Sequence, residues 1–577
     1  MEIVIGTYVV MYDLLSKAKR VFAKRISSVL KKGDSKERRI LFLIMILSTF
    51  LRLYQFPSLP AGLQWDEVSA GYETYALLLH GTDRWGNPFP VYFPSWGSGQ
   101  NVLLSYLNMP FIAIFGLTAF GERVSSVLLS LLMMGFFYAF IKRWYGTRTA
   151  LIAAFLLGTN PWHIMMARWS LESNLLPSFL LLGITFLSYC YTSRYSRTLM
   201  PFSLFFLALA FYAYGVSIII IPIFLVLYFG LLSLQRLAEV LNLHRKEAHN
   251  PSVASILLKT ITGRTCRNKF GIILSLLIFL LIASPFFLFI LDNYILHTTP
   301  WLVQHLPLTI PLLISSRLAQ VAGGQNSLAA NTQFLVSGFD DGTIWNMASG
   351  YPAFGLLNFP LAAIGIYYSI RRRQVHANLF LIWLVATIPI FFLFPLNIVR
   401  ANALFLPLIA MSAIGISGLY HSIGNKATKM TVVSLLLAII ALYNGTFCVY
   451  YFATYNHDLK GTLNAGFDTA LLQARSAASA NEPIYISDSI TFNYVYTLFY
   501  LKADPVDFQK HSRIIASGGI YQVLHYRNYY FDSGEAELAL APSFVAILKD
   551  NQRLYCSKYR TTLYSEGDWT IVRCFNR

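Results

Sequence analysis

Two neighbouring carboxylates, Asp66 and Glu67 in the segment LQWDEVSAG, are well suited to acid–base chemistry. They follow an apolar stretch near residues 40–56 that is long enough to cross a membrane. A carboxylate at the mouth of a membrane span can take the proton from a hydroxyl group as that group attacks an electrophile. The pair is therefore a candidate catalytic base, and ordinary solvated loop acids are the alternative.

The composition places these acids in a membrane protein. Of the 577 residues, 56% are hydrophobic and 12% are charged, and the mean hydropathy is +0.53. A soluble core does not need so much apolar sequence. We predict an α-helical polytopic membrane protein with about eleven transmembrane helices of roughly 20 residues each. The predicted spans lie near 40–56, 124–141, 149–166, 174–191, 199–214, 216–234, 270–291, 353–370, 377–394, 403–420 and 430–452.

The distribution of basic residues predicts the topology. The formal net charge of +18 could indicate a nucleic-acid-binding protein, but Lys and Arg cluster in alternate connections between the apolar stretches. This pattern follows the positive-inside rule, so no nucleic acid is expected as a partner. If the chain starts in the cytoplasm, the acids at positions 66 and 67 and the C-terminal region lie on the outer face of the cytoplasmic membrane.

Three regions follow from this topology. Residues 1–39 are predicted to form a basic amphipathic arm in the cytoplasm. Residues 40–454 form the transmembrane domain, with large outer loops at 57–122 and 292–352. Residues 455–577 lose the long apolar runs, with EPIYISDS, APSFVAILK and DWTIVRCF predicted as strands and ITFNYVYTLFYLK as a helix. This pattern predicts an extracytoplasmic α/β domain.

Two local features refine this outline. The apolar stretch near 103–117 is predicted to be an interfacial or re-entrant helix, because counting it as a span would invert every later basic loop. Cys556 and Cys574 share the oxidising compartment, so a disulfide between them is possible.

The outer connections contain further charged residues near the membrane. Arg168 and Glu172 in HIMMARWSLESN are four residues apart, which fits either a helical salt bridge or a functional pair. Arg400 is the only charged residue of PLNIVRANALFLP. A guanidinium there can hold a phosphate through two hydrogen bonds, or it can extend to the lipid head groups.

Polar and aromatic residues of two other outer segments are candidate substrate contacts. The fourth outer segment is rich in Gly, Asn and Ser and is predicted to be a mobile, substrate-covering loop, with a plain solvated turn as the alternative. The turn FYAYGVS offers tyrosines that could equally belong to an interfacial aromatic belt. No cluster of His, Cys and acidic residues has ligand spacing, so neither a metal ion nor another cofactor is expected. The candidate contacts are Asp340, Asp341, Trp345, Asn346, Tyr212 and Tyr214.

Several long motifs resemble a known family. They are GLQWDEVSAGYETYALL, DRWGNPFPVYF, GTNPWHIMMARWSLESNLLPSFLLLG, YAYGVSIIIIP and NIVRANALFLPLIAMSAIGISGL. With these motifs the chain resembles glycosyltransferase family 39, the polyprenyl-phosphate-sugar-dependent transferases with the GT-C membrane fold. That family is related to the protein O-mannosyltransferases and the aminoarabinose transferases. The resemblance covers nearly the whole chain, and the acidic pair in the first outer loop is its most specific part.

The resemblance implies roles for individual residues. Asp66 matches the acid that serves as general base, and Glu67 is its companion. Glu172 is similar in placement to a second acid at the start of the fourth span. Arg168 and Arg400 resemble family arginines that contact the donor phosphate, although Arg168 lies four residues from the acid where some relatives have five. The YAYG turn lacks a lysine that some relatives carry.

The resulting functional prediction is an integral-membrane, inverting glycosyltransferase. It moves a sugar from a polyprenyl-phosphate donor to an acceptor, whether protein, lipid or envelope glycan, on the outer face of the membrane. The predicted partners are the lipid-linked sugar, the unknown acceptor and membrane lipid. The alternatives are a glycan ligase or polymerase that uses polyprenyl diphosphate, a solute transporter and a non-catalytic scaffold.

Overall fold

The computed structural model describes residues 34–190, 196–246, 269–297, 308–315, 328–459, 461–517, 519–532, 540–549 and 559–576. Most of the predicted N-terminal arm, and Cys556, lie outside these residues. The described chain consists of a large helical domain followed by a smaller domain built on a β-sheet. Both the helical character and the C-terminal sheet domain were predicted.

The first half of the helical domain contains the helices that surround the acidic pair. They are α1 Ser35–Leu53, α2 Trp65–His80, α3 Leu103–Phe115, α4 Ala119–Tyr145, α5 Thr147–Thr159, α6 Pro161–Arg168, α7 Leu175–Cys190 and α8 Ser196–Leu209. A 3₁₀ turn, Glu172–Asn174, leads into α7, and another, Ala210–Tyr212, follows α8.

The second half of the domain completes the helical bundle. Its helices are α9 Ser217–Lys246, α10 Lys269–Leu291, α11 Leu328–Val336, α12 Asn358–Arg371, α13 Leu379–Leu393, α14 Ile398–Ser422, α15 Lys426–Ala453 and α16 Tyr455–Asp458. A π-helical segment, Asp292–Leu296, extends α10.

The eleven predicted spans are not confirmed as a count. Among the described residues, six segments are long and apolar enough to cross a membrane: Ala119–Tyr145, Glu172–Cys190, Ser217–Gln235, Gly271–Leu296, Ile398–Ser422 and Lys426–Ala453. The predicted span near 149–166 is instead two helices, α5 and α6, bent by 57°. The bend falls where the Asn160 side chain caps the His163 N–H and Pro161 starts α6, since proline suits the first position of a helix. The predicted spans near 199–214 and 377–394 form shorter apolar helices, Leu199–Tyr212 and Leu379–Leu393. These apolar helices fit a multi-pass membrane protein.

Helix α14 runs through the centre of the helical domain and packs closely on α12. A Cβ atom added at Gly365 would lie 1.8 Å from the Met411 carbonyl oxygen, and one at Gly415 would lie 1.9 Å from the Leu361 oxygen. Small residues let helix backbones approach in this way within membrane proteins. Most of α14 is buried, so its first turn is held in a fixed place beneath the outer loops.

The segment between α2 and α4 contains a tight hairpin followed by the short helix α3. Helix α3 has 13 residues and falls below the length of a span, in agreement with a re-entrant or interfacial helix. Before it, an isolated bridge pairs Phe93 with Gln100. Gly97 and Gly99 within this hairpin have φ of 109° and 86°, a region that L-residues with side chains seldom adopt. The hairpin brings Gln100 back towards the start of α2.

The C-terminal domain is a mixed α/β structure. Its seven strands are β1 Ile484–Ile486, β2 Ser512–Ser517, β3 Ile520–Tyr526, β4 Tyr529–Tyr530, β5 Ser543–Lys549, β6 Tyr559–Glu566 and β7 Trp569–Phe575. They follow the order β2-β3-β4-β1-β5-β7-β6, with parallel pairing of β1 to β4 and β5 and antiparallel pairing elsewhere. The helices are α17 Phe467–Ala477, α18 Asn493–Leu501 and α19 Pro505–His511. Cys574 in β7 is disulfide-bonded.

The sheet domain packs directly on α2. The Tyr496 hydroxyl donates to the Leu63 carbonyl at 2.8 Å, and the Tyr72 hydroxyl donates to the Ala503 carbonyl at 2.9 Å. A Cβ atom added at Gly71 would lie 2.8 Å from a ring carbon of Phe499. The helix that begins with the acidic pair is therefore held between the two domains.

Candidate functional site

Asp66 is the second residue of α2 and is half-buried. The helix N-cap, Gln64, accepts a hydrogen bond from the Asp66 N–H at 2.6 Å and donates one to Asp66 Oδ2 at 3.3 Å. Gln100 Nε2 donates to the Asp66 carbonyl at 3.1 Å. A helix N-terminus favours a negative charge, so this position stabilises an ionised carboxylate. Asp66 is thus oriented by buried amides while part of it reaches the surface.

Glu67 is fully buried, and both of its carboxylate oxygens are occupied. Oε1 accepts from Arg123 Nε and from the Ser170 N–H, each at 2.9 Å. Oε2 accepts from Arg123 Nη2 at 2.9 Å and from the Gln64 N–H at 3.1 Å. The two acids of the pair therefore occupy different environments, and a carboxylate bonded in this way is suited to holding structure.

Arg123, near the start of α4, is a residue that the sequence analysis missed. Besides its two bonds to Glu67, its Nη1 donates to the carbonyls of Pro57 at 3.0 Å and Pro60 at 2.8 Å. Its Nη2 donates to the carbonyl of Gly62 at 2.8 Å. Arg123 thereby fixes the loop that leads into α2. A lone cation beside a long apolar run was the signal that could have revealed it.

Glu172 is linked to Asp66 through the hairpin that contains Gln100 and Asn101. Its Oε2 accepts a hydrogen bond from the Asn101 N–H at 2.6 Å, and the residue is buried. The adjacent Gln100 is the one that bonds to the Asp66 carbonyl. Two consecutive residues therefore connect the two acids, which the sequence places more than a hundred positions apart.

Arg168 is buried and directed towards the end of α1. Its Nε and Nη2 donate to the Leu59 carbonyl at 3.2 and 3.0 Å, and its Nη1 donates to the Arg52 carbonyl at 2.9 Å. Its Cζ also lies 5.8 Å from the centre of the Tyr451 ring. These contacts hold the Arg168 guanidinium against backbone oxygens near the end of α1. The Glu172 carboxylate, in contrast, bonds to the hairpin at Asn101.

Arg400 lies in the first turn of α14, and its N–H is capped by Asn397 Oδ1 at 2.9 Å. Its Nη1 donates to the Pro395 carbonyl at 2.5 Å. The Asp341 Oδ2 accepts from the Ile398 N–H at 3.1 Å, so the turn around Asp341 is attached to the same helix end. Arg400 is half-buried and is held beside this turn.

The remaining residues of the predicted covering loop have separate roles. Asn346 Nδ2 donates to Asp341 Oδ2 at 2.8 Å and holds the turn closed. Asp340 Oδ1 accepts from the Gly342 N–H at 2.9 Å, as in a plain turn. The Trp345 ring lies 6.0 Å from the ring of Trp65 in an edge-to-face arrangement. Trp65 directly precedes Asp66, so this loop borders the candidate base.

The two candidate tyrosines pack inside the helical domain. The Tyr212 hydroxyl donates to the Ile282 carbonyl of α10 at 2.6 Å, and its ring meets Phe286 edge to face at 5.5 Å. Tyr214 is buried in the same apolar core. The contacts of Tyr212 connect the turn to α10.

A second buried ion pair supports the far end of α2. Arg84 Nε lies 2.6 Å from Glu73 Oε1, and the Arg84 guanidinium lies over the rings of Trp96 and Tyr494 at 5.2 and 5.9 Å. Burial, together with the charge of Glu73, raises the pKa of the neighbouring Asp83 to about 7. This cluster joins α2, the hairpin and the sheet domain.

The candidate residues therefore lie at the start of α2, in the turn before α7, in the first turn of α14 and in the 340–346 loop, which contacts both Ile398 and Trp65. The site offers one half-buried carboxylate, one half-buried guanidinium and aromatic walls. Within the described ranges, no three His, Cys, Asp or Glu side chains are grouped so that they could hold a metal ion. Such a site is suited to a nucleophile that must lose a proton and a leaving group that is anionic.

Comparisons with known proteins agree with this architecture. Residues 100–242 match the family model described as dolichyl-phosphate-mannose-protein mannosyltransferase. The crystal structure of ArnT from Cupriavidus metallidurans bound to undecaprenyl phosphate superposes with a TM-score of 0.56 at 13% identity, covering 93% of this chain and 97% of that one. The apo form of the same protein gives 0.54 at 12% identity, covering 94% and 97%. No curated protein matches in sequence. The match over residues 100–242 and the shared fold are in line with the resemblance predicted from the sequence motifs.

Proposed function

We propose that this chain is a membrane glycosyltransferase of the GT-C class, which moves a sugar from a polyprenyl-phosphate donor to a hydroxyl acceptor outside the cytoplasmic membrane. The observation that carries the proposal is the difference in burial within the acidic pair: Asp66 is half-buried at the start of α2, whereas Glu67 is fully buried and bonded to Arg123 through both oxygens. A partly exposed carboxylate held at the start of a fixed helix is suited to act as a general base.

The proposed reaction is one displacement. The acceptor oxygen forms a bond to the anomeric carbon of the donor while the bond from that carbon to the phosphate oxygen breaks. The hydroxyl proton passes to the Asp66 carboxylate, and the bonding electron pair leaves with the phosphate. A single displacement inverts the configuration at the anomeric carbon.

The leaving phosphate needs positive charge, and the proposal assigns this role to Arg400. Its Nη1 contacts the Pro395 carbonyl, and it lies in the first turn of α14, whose N-terminus adds a partial positive charge. Arg168 is a weaker candidate, because its bonds to the Leu59 and Arg52 carbonyls leave less capacity for a phosphate. We therefore propose that Arg400, and not Arg168, contacts the donor.

The 340–346 loop and Glu172 complete the proposed site. Trp345, beside Trp65, forms an aromatic wall near Asp66 that is suited to the apolar face of a sugar ring. Glu172 holds the hairpin that supports the base, so its proposed role is to position Asp66 through Asn101 and Gln100. The undecaprenyl phosphate bound by the similar ArnT structure supports a lipid-phosphate donor.

The test is transfer by the purified full-length protein. Undecaprenyl-phosphate-linked sugars are supplied with a cell-envelope extract as the source of acceptors, and released undecaprenyl phosphate is measured by mass spectrometry. Asp66→Asn is expected to lower the rate by about 10² or more. Undiminished release by a well-folded Asp66→Asn variant would refute the proposal, and turnover of a diphosphate donor alone would establish the ligase alternative.

A further inference from the structure

The end of α14 remote from Arg400 carries a cluster that the proposed reaction does not use. Tyr420 lies twenty residues after Arg400 in this continuous helix. At 1.5 Å per residue, the two positions are roughly 30 Å apart, close to the thickness of the apolar core of a membrane. Tyr420 therefore lies at the opposite membrane surface, where the basic connections gather.

Two cations converge on the Tyr420 ring from different helices. The Arg148 Cζ lies 3.9 Å from the ring centre, and the Lys429 Nζ lies 4.9 Å from it. Arg148 belongs to α5 and Lys429 to α15, so three helices contribute to this basic–aromatic site. Cations are attracted to the face of an aromatic ring, but two of them held on one ring repel each other.

The three helix-end segments that carry and flank the Tyr420 ring supply no carboxylate to relieve this repulsion. The segments 142–150, 366–378 and 418–430 together contain eight Lys and Arg residues and no Asp or Glu. In addition, neither α5 nor α15 has an acidic residue in its first turn, where the helix dipole favours anions and disfavours cations. The basic–aromatic site is thus complementary to an anion from outside the chain.

We propose that the basic–aromatic site of Arg148, Tyr420 and Lys429 binds the phosphodiester head group of an anionic phospholipid. Lipid is favoured over free phosphate because α15 continues from Lys429 with exposed apolar side chains. Met430, Leu435 and Ile439 are 52%, 59% and 46% exposed, a surface suited to acyl chains. Basic pockets between helix ends at the cytoplasmic surface bind anionic head groups by the same physics. This proposal does not depend on the proposed transfer reaction.

The test uses native mass spectrometry of the full-length protein in detergent, titrated with phosphatidylglycerol or with phosphatidylcholine. The wild type is expected to retain phosphatidylglycerol more strongly than phosphatidylcholine. The double variant Arg148→Gln/Lys429→Gln is expected to bind phosphatidylglycerol roughly 30-fold more weakly, from two interfacial cations. Its melting temperature without lipid should stay near that of the wild type, since both side chains lie at the surface.

A matched control removes the same charge from the same surface. Arg371→Gln/Arg373→Gln changes two cations outside the basic–aromatic site and is expected to leave phosphatidylglycerol binding nearly unchanged. Equal losses in both double variants would mean that only the general surface charge attracts the lipid, and the proposal would be wrong. Equal retention of the two lipids by the wild type, or displacement of phosphatidylglycerol by millimolar inorganic phosphate, would also overturn it.

Discussion

Replacing Glu67 by Gln is expected to destabilise the region around α2, whereas replacing Asp66 by Asn is expected to leave the protein folded and to stop transfer. The two substitutions each remove one negative charge from adjacent residues, so each is a control for the other. The reason for the difference is burial. Glu67 has no exposed surface and pairs with Arg123 through two contacts of 2.9 Å, while Asp66 is half-buried.

The expected size follows from the buried pair. Removing one partner of a buried ion pair leaves an uncompensated charge and costs about 3–5 kcal/mol. Arg123 would keep its bonds to the carbonyls of Pro57, Pro60 and Gly62, but its charge would have lost its counterion. The same free energy raises the population of the locally open state at least about 100-fold.

Hydrogen exchange with mass spectrometry measures that population directly. In Glu67→Gln, peptides covering residues 57–80 are expected to exchange at least about 100-fold faster than in the wild type. Asp66→Asn should show wild-type protection in the same peptides. The double variant Glu67→Gln/Arg123→Met removes both charges, so it is expected to be better protected than Arg123→Met alone, which leaves the Glu67 charge buried without its counterion.

One outcome would refute this reasoning. If Glu67→Gln keeps wild-type protection in residues 57–80 and yet loses transfer, Glu67 acts on the substrate and not on the fold. A double variant that is less protected than either single variant would equally show that the pair with Arg123 is not the source of the effect.

Three further predictions follow from the same contacts. Gln64→Ser keeps an oxygen that can cap α2 but loses the amide that donates to Asp66 Oδ2. The melting temperature should therefore stay unchanged while kcat falls by about tenfold. A parallel loss of stability would contradict a positioning role for Gln64. A Cβ atom at position 71 would lie 2.8 Å from a ring carbon of Phe499, so Gly71→Val should weaken the packing of the sheet domain on α2 by about 1–3 kcal/mol. Limited proteolysis should then cut between the two domains faster than in the wild type. Gly135→Val is the control, since no atom lies within 4 Å of a Cβ at that position. Burial raises the pKa of Asp83 to about 7, above its unfolded value, so its contribution to stability is complete below pH about 4 and is lost as the pH rises through 7. The melting temperature should therefore fall between pH 6 and 8 in the wild type and change less in Asp83→Asn, and an identical fall in both would show that another group is responsible.

The sequence was sufficient where local pattern decides structure. EPIYISDS, APSFVAILK and DWTIVRCF were predicted as strands and contain β1, β5 and β7, and ITFNYVYTLFYLK contains α18. The spacing of apolar residues in these segments distinguishes strand from helix, because a strand repeats every two residues and a helix every 3.6 residues.

The count of spans could not be obtained in the same way. The apolar stretches near 149–166 and 377–394 were both long enough to be predicted as spans. The first is broken at Asn160 and Pro161, and the second forms only the 15 residues of Leu379–Leu393. Helix packing and capping decide where a helix ends, and a sliding average of hydropathy does not contain that information.

By itself, the sequence determined that this is a multi-pass helical protein with a C-terminal sheet domain, and it named acids and arginines as candidates for the site. Composition, apolar period and charge distribution are properties of short segments, which is why they could be read from it. Only the tertiary structure decided which of two adjacent acids is reachable, that Arg123 neutralises Glu67, and that Arg168 bonds to backbone carbonyls. Those distinctions depend on hydrogen-bond partners from distant parts of the chain. A buried charge needs a partner, but the sequence does not show which residue supplies that partner.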